Sequence, residues 1–186
     1  YGLVNETEEE FSLRMAKILE EKIIKEDPET IAGFVAEPVQ GAGGCIPPSK
    51  SYFDLVQPIL KKYNIPFIAD EVICGFGRTG NLWGCETYNI KPDIIISSKC
   101  LTAGYFPMGA VIVNKEFSDK FVEVSEEAEE FPHGFTAGGH PVGCAIALKA
   151  IDVIMNEGLL DNVKLMEPYF FERLNEFNDY EHIGET

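Results

Sequence analysis

Two short apolar runs in this chain each end on a charged group, and that arrangement constrains the fold more than any other feature. Ile65-Pro66-Phe67-Ile68-Ala69 runs into Asp70, and Pro92-Asp93-Ile94-Ile95-Ile96-Ser97-Ser98 runs into Lys99. Runs of this length, rich in β-branched residues, suit strands buried in a parallel sheet. With both strands pointing the same way, Asp70 and Lys99 share the carboxyl edge, where open α/β sheets bind their ligands.

The remaining pattern supplies the helices such a sheet needs. Thr7 with Glu10 makes a capping box, and Phe11, Met15, Ile18 and Leu19 follow at helical spacing, which predicts a helix from about Glu8 to Lys25. Ala32 to Val39 reads as a strand, stopped by the loop Gln40-Gly41-Ala42-Gly43-Gly44. A helix is expected from Tyr52 to Tyr63 despite Pro58, which removes one backbone bond. Gly109 to Val113 is a further strand. Pro141 suits the first position of a helix reaching Asn156, with Gly158 as its stop, and a last helix runs from about Leu160 to Phe177. Strands alternating with helices imply an α/β fold with a mainly parallel sheet flanked by helices.

Charge and cysteine usage exclude several classes. A formal net charge of −16 argues against nucleic acid, whose phosphates need clustered lysine and arginine. The acidic runs Glu8-Glu9-Glu10 and Glu126-Glu127-Ala128-Glu129-Glu130 read as solvated faces. Five cysteines without a C-x-x-C spacing suggest neither a disulfide framework nor a zinc site, so a reducing, cytoplasmic setting is expected. His133, His140 and His182 show no ligand spacing, and no metal is expected. No apolar run is long enough for a membrane span. The chain opens on Tyr1 rather than methionine and its last helix lacks a stop signal, which reads as a piece of a longer chain that leaves apolar surface uncovered.

Gly75-Phe76-Gly77-Arg78-Thr79-Gly80 is a literal G-x-G-x-x-G after a strand. A dinucleotide site would need this loop to open a helix whose N-terminus meets a pyrophosphate, and Asn81-Leu82-Trp83-Gly84-Cys85 continues without helical periodicity. The glycines are better read as shaping a loop beside the Asp70 edge.

Four stretches together resemble the class III pyridoxal phosphate aminotransferases. They are Ala36-Glu37-Pro38-Val39-Gln40-Gly41-Ala42-Gly43-Gly44, Asp70-Glu71-Val72-Ile73-Cys74 through Gly80, Ser98-Lys99 to Gly109-Ala110, and His133-Gly134-Phe135-Thr136-Ala137-Gly138-Gly139-His140-Pro141. In order and spacing they cover nearly the whole chain. The resemblance implies the large-domain part of the fold type I transferase fold over residues 1–158. Residues 159–186 would then form a helix leading into a C-terminal small domain that is missing here. Ile73 departs from the glutamine that several family members carry, and the wording of the Asp70 motif is closer to the ω-amino acid and amine:pyruvate subgroup.

What the resemblance implies about roles is specific. Lys99 is the Schiff-base lysine that binds pyridoxal 5′-phosphate and shuttles a proton, and Asp70 pairs with the ring nitrogen. Val72 packs on one face of the cofactor, the alternative being a plain core valine. Thr136, beside Phe135, contacts the cofactor phosphate in the other subunit of a homodimer. Glu37 resembles a glutamate that pairs with a substrate-gating arginine, none of which can be assigned here. Alternatively, Glu37 is a carboxylate that bonds loop amides at the sheet edge. The implied activity is transfer of an amino group from a small-molecule amine or ω-amino acid to a keto acid. An aminomutase or racemase keeps the same residues, and a truncated binding or assembly unit without catalysis is a third reading. These stay open from the residues alone.

Overall fold

The computed structural model describes residues 2–131 and 133–183; the end of the expected C-terminal segment, 184–186, lies outside them. Helix α1 spans Glu8–Glu26 and begins as expected. Glu10 donates its amide to Thr7 Oγ1 at 3.2 Å, and Thr7 donates its own to Glu10 Oε2 at 2.9 Å. Such a cap contributes about 1 kcal/mol. Strand β1 is only Phe34–Ala36, shorter than the Ala32–Val39 run, because Pro38 has no N–H to give a ladder and the chain turns at Glu37. Helix α2, Tyr52–Lys62, continues through Pro58 and buries Phe53, Val56 and Leu60 on one stripe.

Strands β2 (Phe67–Asp70) and β3 (Ile94–Ser97) pair in parallel, with Ile68 beside Ile94, Ala69 beside Ile95 and Asp70 beside Ile96. β1 adds in parallel on the far side of β2. β4, Ala110–Val113, closes the order β1-β2-β3-β4 and runs antiparallel to β3. Asp93 aligns three strand ends at once. Its Oδ2 accepts from the Phe67 amide and its Oδ1 from Asn114 Nδ2, each at 2.9 Å.

Alternation across the strands separates two faces. Phe67 and Ala69 join Ile23, Phe53, Val56 and Leu60 in the main core under α1 and α2. On the opposite face Ile94, Ile96, Val111 and Val113 line a cavity of about 1510 Å³, bounded by helix α4 (Lys115–Ala128) and the 131–139 loop. The acidic run masks α4 in the sequence: Glu126 and Glu127 lie on its last turn, while Asn114 caps its start by accepting from the Phe117 amide at 3.0 Å. Helix α5, Pro141–Asn156, has the expected bounds and packs through Ala147, Ile151 and Ile154 on Phe76 and Leu101. Helix α6, Leu159–Asn175, packs on α5 with no buried residue and exposes Leu165 and Phe170.

An ion pair ties the segment before α1 to that helix. Arg14 donates Nε to Glu6 Oε1 at 2.6 Å and Nη2 to Oε2 at 2.8 Å. With the Leu3 amide also donating to it, the Glu6 carboxyl is held at about 2 instead of 4.5. A folded value below the unfolded one stabilises the fold above pH 4.5, and that contribution drains away as pH falls towards 2. Acid melting followed by circular dichroism is therefore expected to show a smaller loss of stability across this window in Glu6→Gln than in the native chain.

Candidate active site

The parallel register of β2 and β3 brings Asp70 and the Ser97-Ser98-Lys99 segment to one edge. Asp70 is half-buried; its Oδ1 accepts from the Val72 amide at 3.0 Å, and its Oδ2 has no partner among the described residues. Lys99 lies two residues past the end of β3, at the start of a 3₁₀ turn. It is exposed, and among the described residues it makes no ion pair. Its φ of 43° lies in the left-handed region, which costs an L-residue about 1–2 kcal/mol.

The turn that carries Lys99 is tied down on both sides. Ser98 Oγ donates to the Met108 carbonyl at 2.9 Å, and Thr102, 2% exposed, donates Oγ1 to the Phe106 carbonyl at 2.6 Å. Leu101 is buried against Phe76 and Ala147. The lysine backbone is thus fixed, while its ammonium group faces open space.

The large cavity lies next to this pair rather than around it. Val72 and Ser98 line it, as do Phe106, Phe135 and Gly138, whereas Asp70, Lys99 and Thr136 do not. Thr136 and Phe135 sit on an exposed loop, Phe135 at 81%. His133 and Phe135 meet edge to face, with ring centroids 5.3 Å apart. The register and the Val72–Asp70 bond set Asp70, Val72 and the Lys99 turn at one edge, while Thr136 lies on the exposed loop whose Phe135 and Ala137 line the neighbouring cavity.

Glu37 is half-buried, and its Oε2 accepts from the Gly41 amide at 2.8 Å, closing the loop after β1. Gly41 in turn has no room for a side chain: a Cβ there would meet Ile73 Cδ1 at 2.0 Å. Ile73 therefore fills, with apolar surface, the space between the Asp70 turn and the Glu37 loop.

Glu71, which sequence reasoning gave no role, is 1% exposed. Its Oε2 accepts from the Gly84 amide at 2.9 Å and its Oε1 from the Cys85 amide at 2.7 Å, at the start of the short helix α3, Gly84–Thr87. That carboxylate already occupies the helix N-terminus after the glycine loop, so no pyrophosphate can bind there. Burial, with the Glu71 carboxylate beside it, pushes the Cys85 thiol well up, which leaves it inert. Only a mismatch between sequence and setting, a glutamate inside an otherwise apolar turn, could have marked Glu71.

The pairing of a half-buried carboxylate with one uncommitted oxygen and an unpaired amine suits a flat ligand carrying a basic ring nitrogen at one end and a carbonyl near the other. Val72 adds an apolar wall beside them. A pyridoxal group has these features, so the residues present fit it.

Comparison with known proteins places this arrangement. The family model described as aminotransferase class-III matches residues 2–186. An omega-aminotransferase from Paracoccus denitrificans superposes with a TM-score of 0.97 at 61% identity, covering 100% of this chain and 41% of that one. The PMP-bound aminotransferase of Vibrio fluvialis also superposes at 0.97, with 64% identity and the same coverage. A chloroplastic gamma aminobutyrate transaminase 3 of Solanum lycopersicum is 55% identical over 180 residues, 97% of this chain. The chain spans 35% of that relative's length.

The contact between Gly41 and Ile73 yields a test of the local packing. Gly41→Ala is expected to lower stability in denaturant melts by about 1–3 kcal/mol, the usual range for overpacking. In an Ile73→Ala background the same change is expected to cost far less, a coupling read from the double-mutant cycle.

Proposed function

Because the chain belongs to the class-III aminotransferases, we propose that the protein carrying it moves an amino group from an amine or ω-amino acid to a keto acid with pyridoxal 5′-phosphate. The observation that carries this reading is the β2–β3 register, which sets an uncommitted carboxylate oxygen and an unpaired lysine on one sheet edge. The tomato relative is named for gamma-aminobutyrate, itself an ω-amino acid, and the two solved neighbours are named as aminotransferases. These names favour transfer over an aminomutase or racemase.

Bound pyridoxal phosphate supplies an aldehyde carbon that takes up amines and a ring that accepts the electrons released when a C–H bond breaks. Asp70 holds a proton on the ring nitrogen through its free oxygen, a charge-assisted bond. Lys99 carries the cofactor through its Nζ. The same amine, when not holding the cofactor, would hold a proton and move it between the reacting carbons. Val72 excludes water from one side of the ring. Thr136, on an exposed loop, offers a hydroxyl and an amide to a phosphate in the partner subunit of a homodimer. Phe135, on the same loop, adds apolar contact to that partner site. Glu37 accepts from the Gly41 amide and shapes the loop after β1, and a gating arginine from elsewhere in the protein would compete for that carboxylate.

In this reading residues 1–158 belong to the cofactor-binding large domain, and 159–186 lead towards a smaller one, in keeping with an α6 that buries nothing here. A reducing compartment, cytoplasm or organelle, suits the five free thiols. Among the described residues no helix is long and apolar enough to cross a membrane.

Borohydride reduction of the intact enzyme followed by peptide mapping tests the assignment. The pyridoxyl label is expected on Lys99, and Lys99→Ala should abolish that label and lower transamination by about 10²–10⁴-fold or more. A label on another lysine would overturn the assignment.

A further inference from the structure

We propose that Glu71 is a positioning residue for Asp70, holding the carboxylate that meets the cofactor ring, so that this buried acid acts on the reaction without touching it. The proposal rests on the aminotransferase reading above. Residue 71 spends every polar group it has. Its amide donates to the Ile96 carbonyl at 2.9 Å, its carbonyl accepts from the Gly75 amide at 2.8 Å, and its two carboxylate oxygens take the Gly84 and Cys85 amides. No cation among the described residues pairs with it, so two helix amides alone compensate the buried charge.

The packing around the carboxylate admits no slack. A Cβ on Gly84 would meet Cys74 Cβ at 2.7 Å, Pro38 Cβ at 2.9 Å and Glu71 Oε2 at 3.2 Å. Pro38 is fully buried and follows Glu37 directly. The carboxylate thereby ties the Asp70-Glu71-Val72 turn to the start of α3, where Gly84 packs against Pro38. Asp70 and Val72 are its immediate neighbours in the chain and are bonded to each other through the Val72 amide and Asp70 Oδ1, so any tilt of Glu71 swings both of them. A fixed acceptor is what ring-nitrogen protonation needs, since a carboxylate displaced by an ångström loses the bond.

The test compares the intact enzyme with Glu71→Gln and Glu71→Asp. Gln keeps the volume, removes the charge and turns an N–H towards an amide N–H. Asp keeps the charge and reaches one amide. The pH titration of the bound cofactor's visible band is expected to shift upward by a unit or more in Glu71→Gln, because a ring nitrogen without its proton leaves the attached lysine nitrogen more basic. Cofactor affinity should fall at least tenfold with it, and Glu71→Asp should recover part of both. A folded Glu71→Gln with an unmoved titration and unchanged affinity, only less heat-stable, would make Glu71 a simple helix cap and overturn the proposal. Should neither variant fold, amide exchange in the native enzyme decides. The Gly84 and Cys85 amides are expected to slow at least tenfold more on cofactor loading, and unchanged rates would overturn the proposal. A native enzyme with no visible band would sink the aminotransferase reading and this proposal with it; a native band with unmoved variants sinks the proposal alone.

Discussion

Three parallel pairings, Ile68 with Ile94, Ala69 with Ile95 and Asp70 with Ile96, decide where Asp70 and the Lys99 turn end up. A parallel ladder aligns the carboxyl ends of its strands, so whatever follows β2 and β3 meets at one edge. Asp93 makes that alignment specific, because its carboxylate takes the first amide of β2 and the Asn114 side chain beyond β4. A one-residue slip would break both bonds and turn Asp70 into the apolar layer under α1 and α2.

The edge itself combines rigidity with exposure. Around Lys99 the backbone is held in a conformation that costs energy, and the hydroxyls of Ser98 and Thr102 hold it there by closing on carbonyls of the 106–108 segment. Strain of this kind persists only where the surroundings over-determine it. Around Asp70 the restraint comes from the chain on the other side of the turn, through Glu71 and α3. Lys99 therefore sits on a fixed backbone with its amine exposed, and Asp70 keeps one carboxylate oxygen without a partner among the described residues, an arrangement that suits the proposed covalently held ligand.

Much of this was legible in the residues. Asp70 and Lys99 stand out only as a pair at one strand edge, flanked by the Glu37 and Thr136 motifs, since either charge alone reads as a cap or a solvated group, whereas Pro141 and Thr7 mark their helices through local chemistry alone. What escaped depended on partners distant in sequence or on competing signals. β1 was shorter than its apolar run because Pro38 leaves the ladder, and α4 was hidden by the acids that also solvate it. Glu71 could not be understood from its neighbours, since the amides that hold it belong to Gly84 and Cys85. Thr136 makes no side-chain hydrogen bond among the described residues, and its proposed partner lies in another subunit. For Glu37 the structure supplies a concrete bond, to the Gly41 amide, where sequence left a choice between loop support and substrate gating.

The central claim is that the sheet edge offers a carboxylate to one end of a pyridoxal ring and a lysine to the other. The most direct measurement is the ¹⁵N chemical shift of a ring-labelled cofactor bound to the intact enzyme, native and Asp70→Asn. The account predicts a protonated ring nitrogen in the native enzyme well above the pH at which the free cofactor loses that proton, and a neutral one in Asp70→Asn. A neutral ring nitrogen in the native enzyme, or a shift indifferent to the substitution, would contradict it.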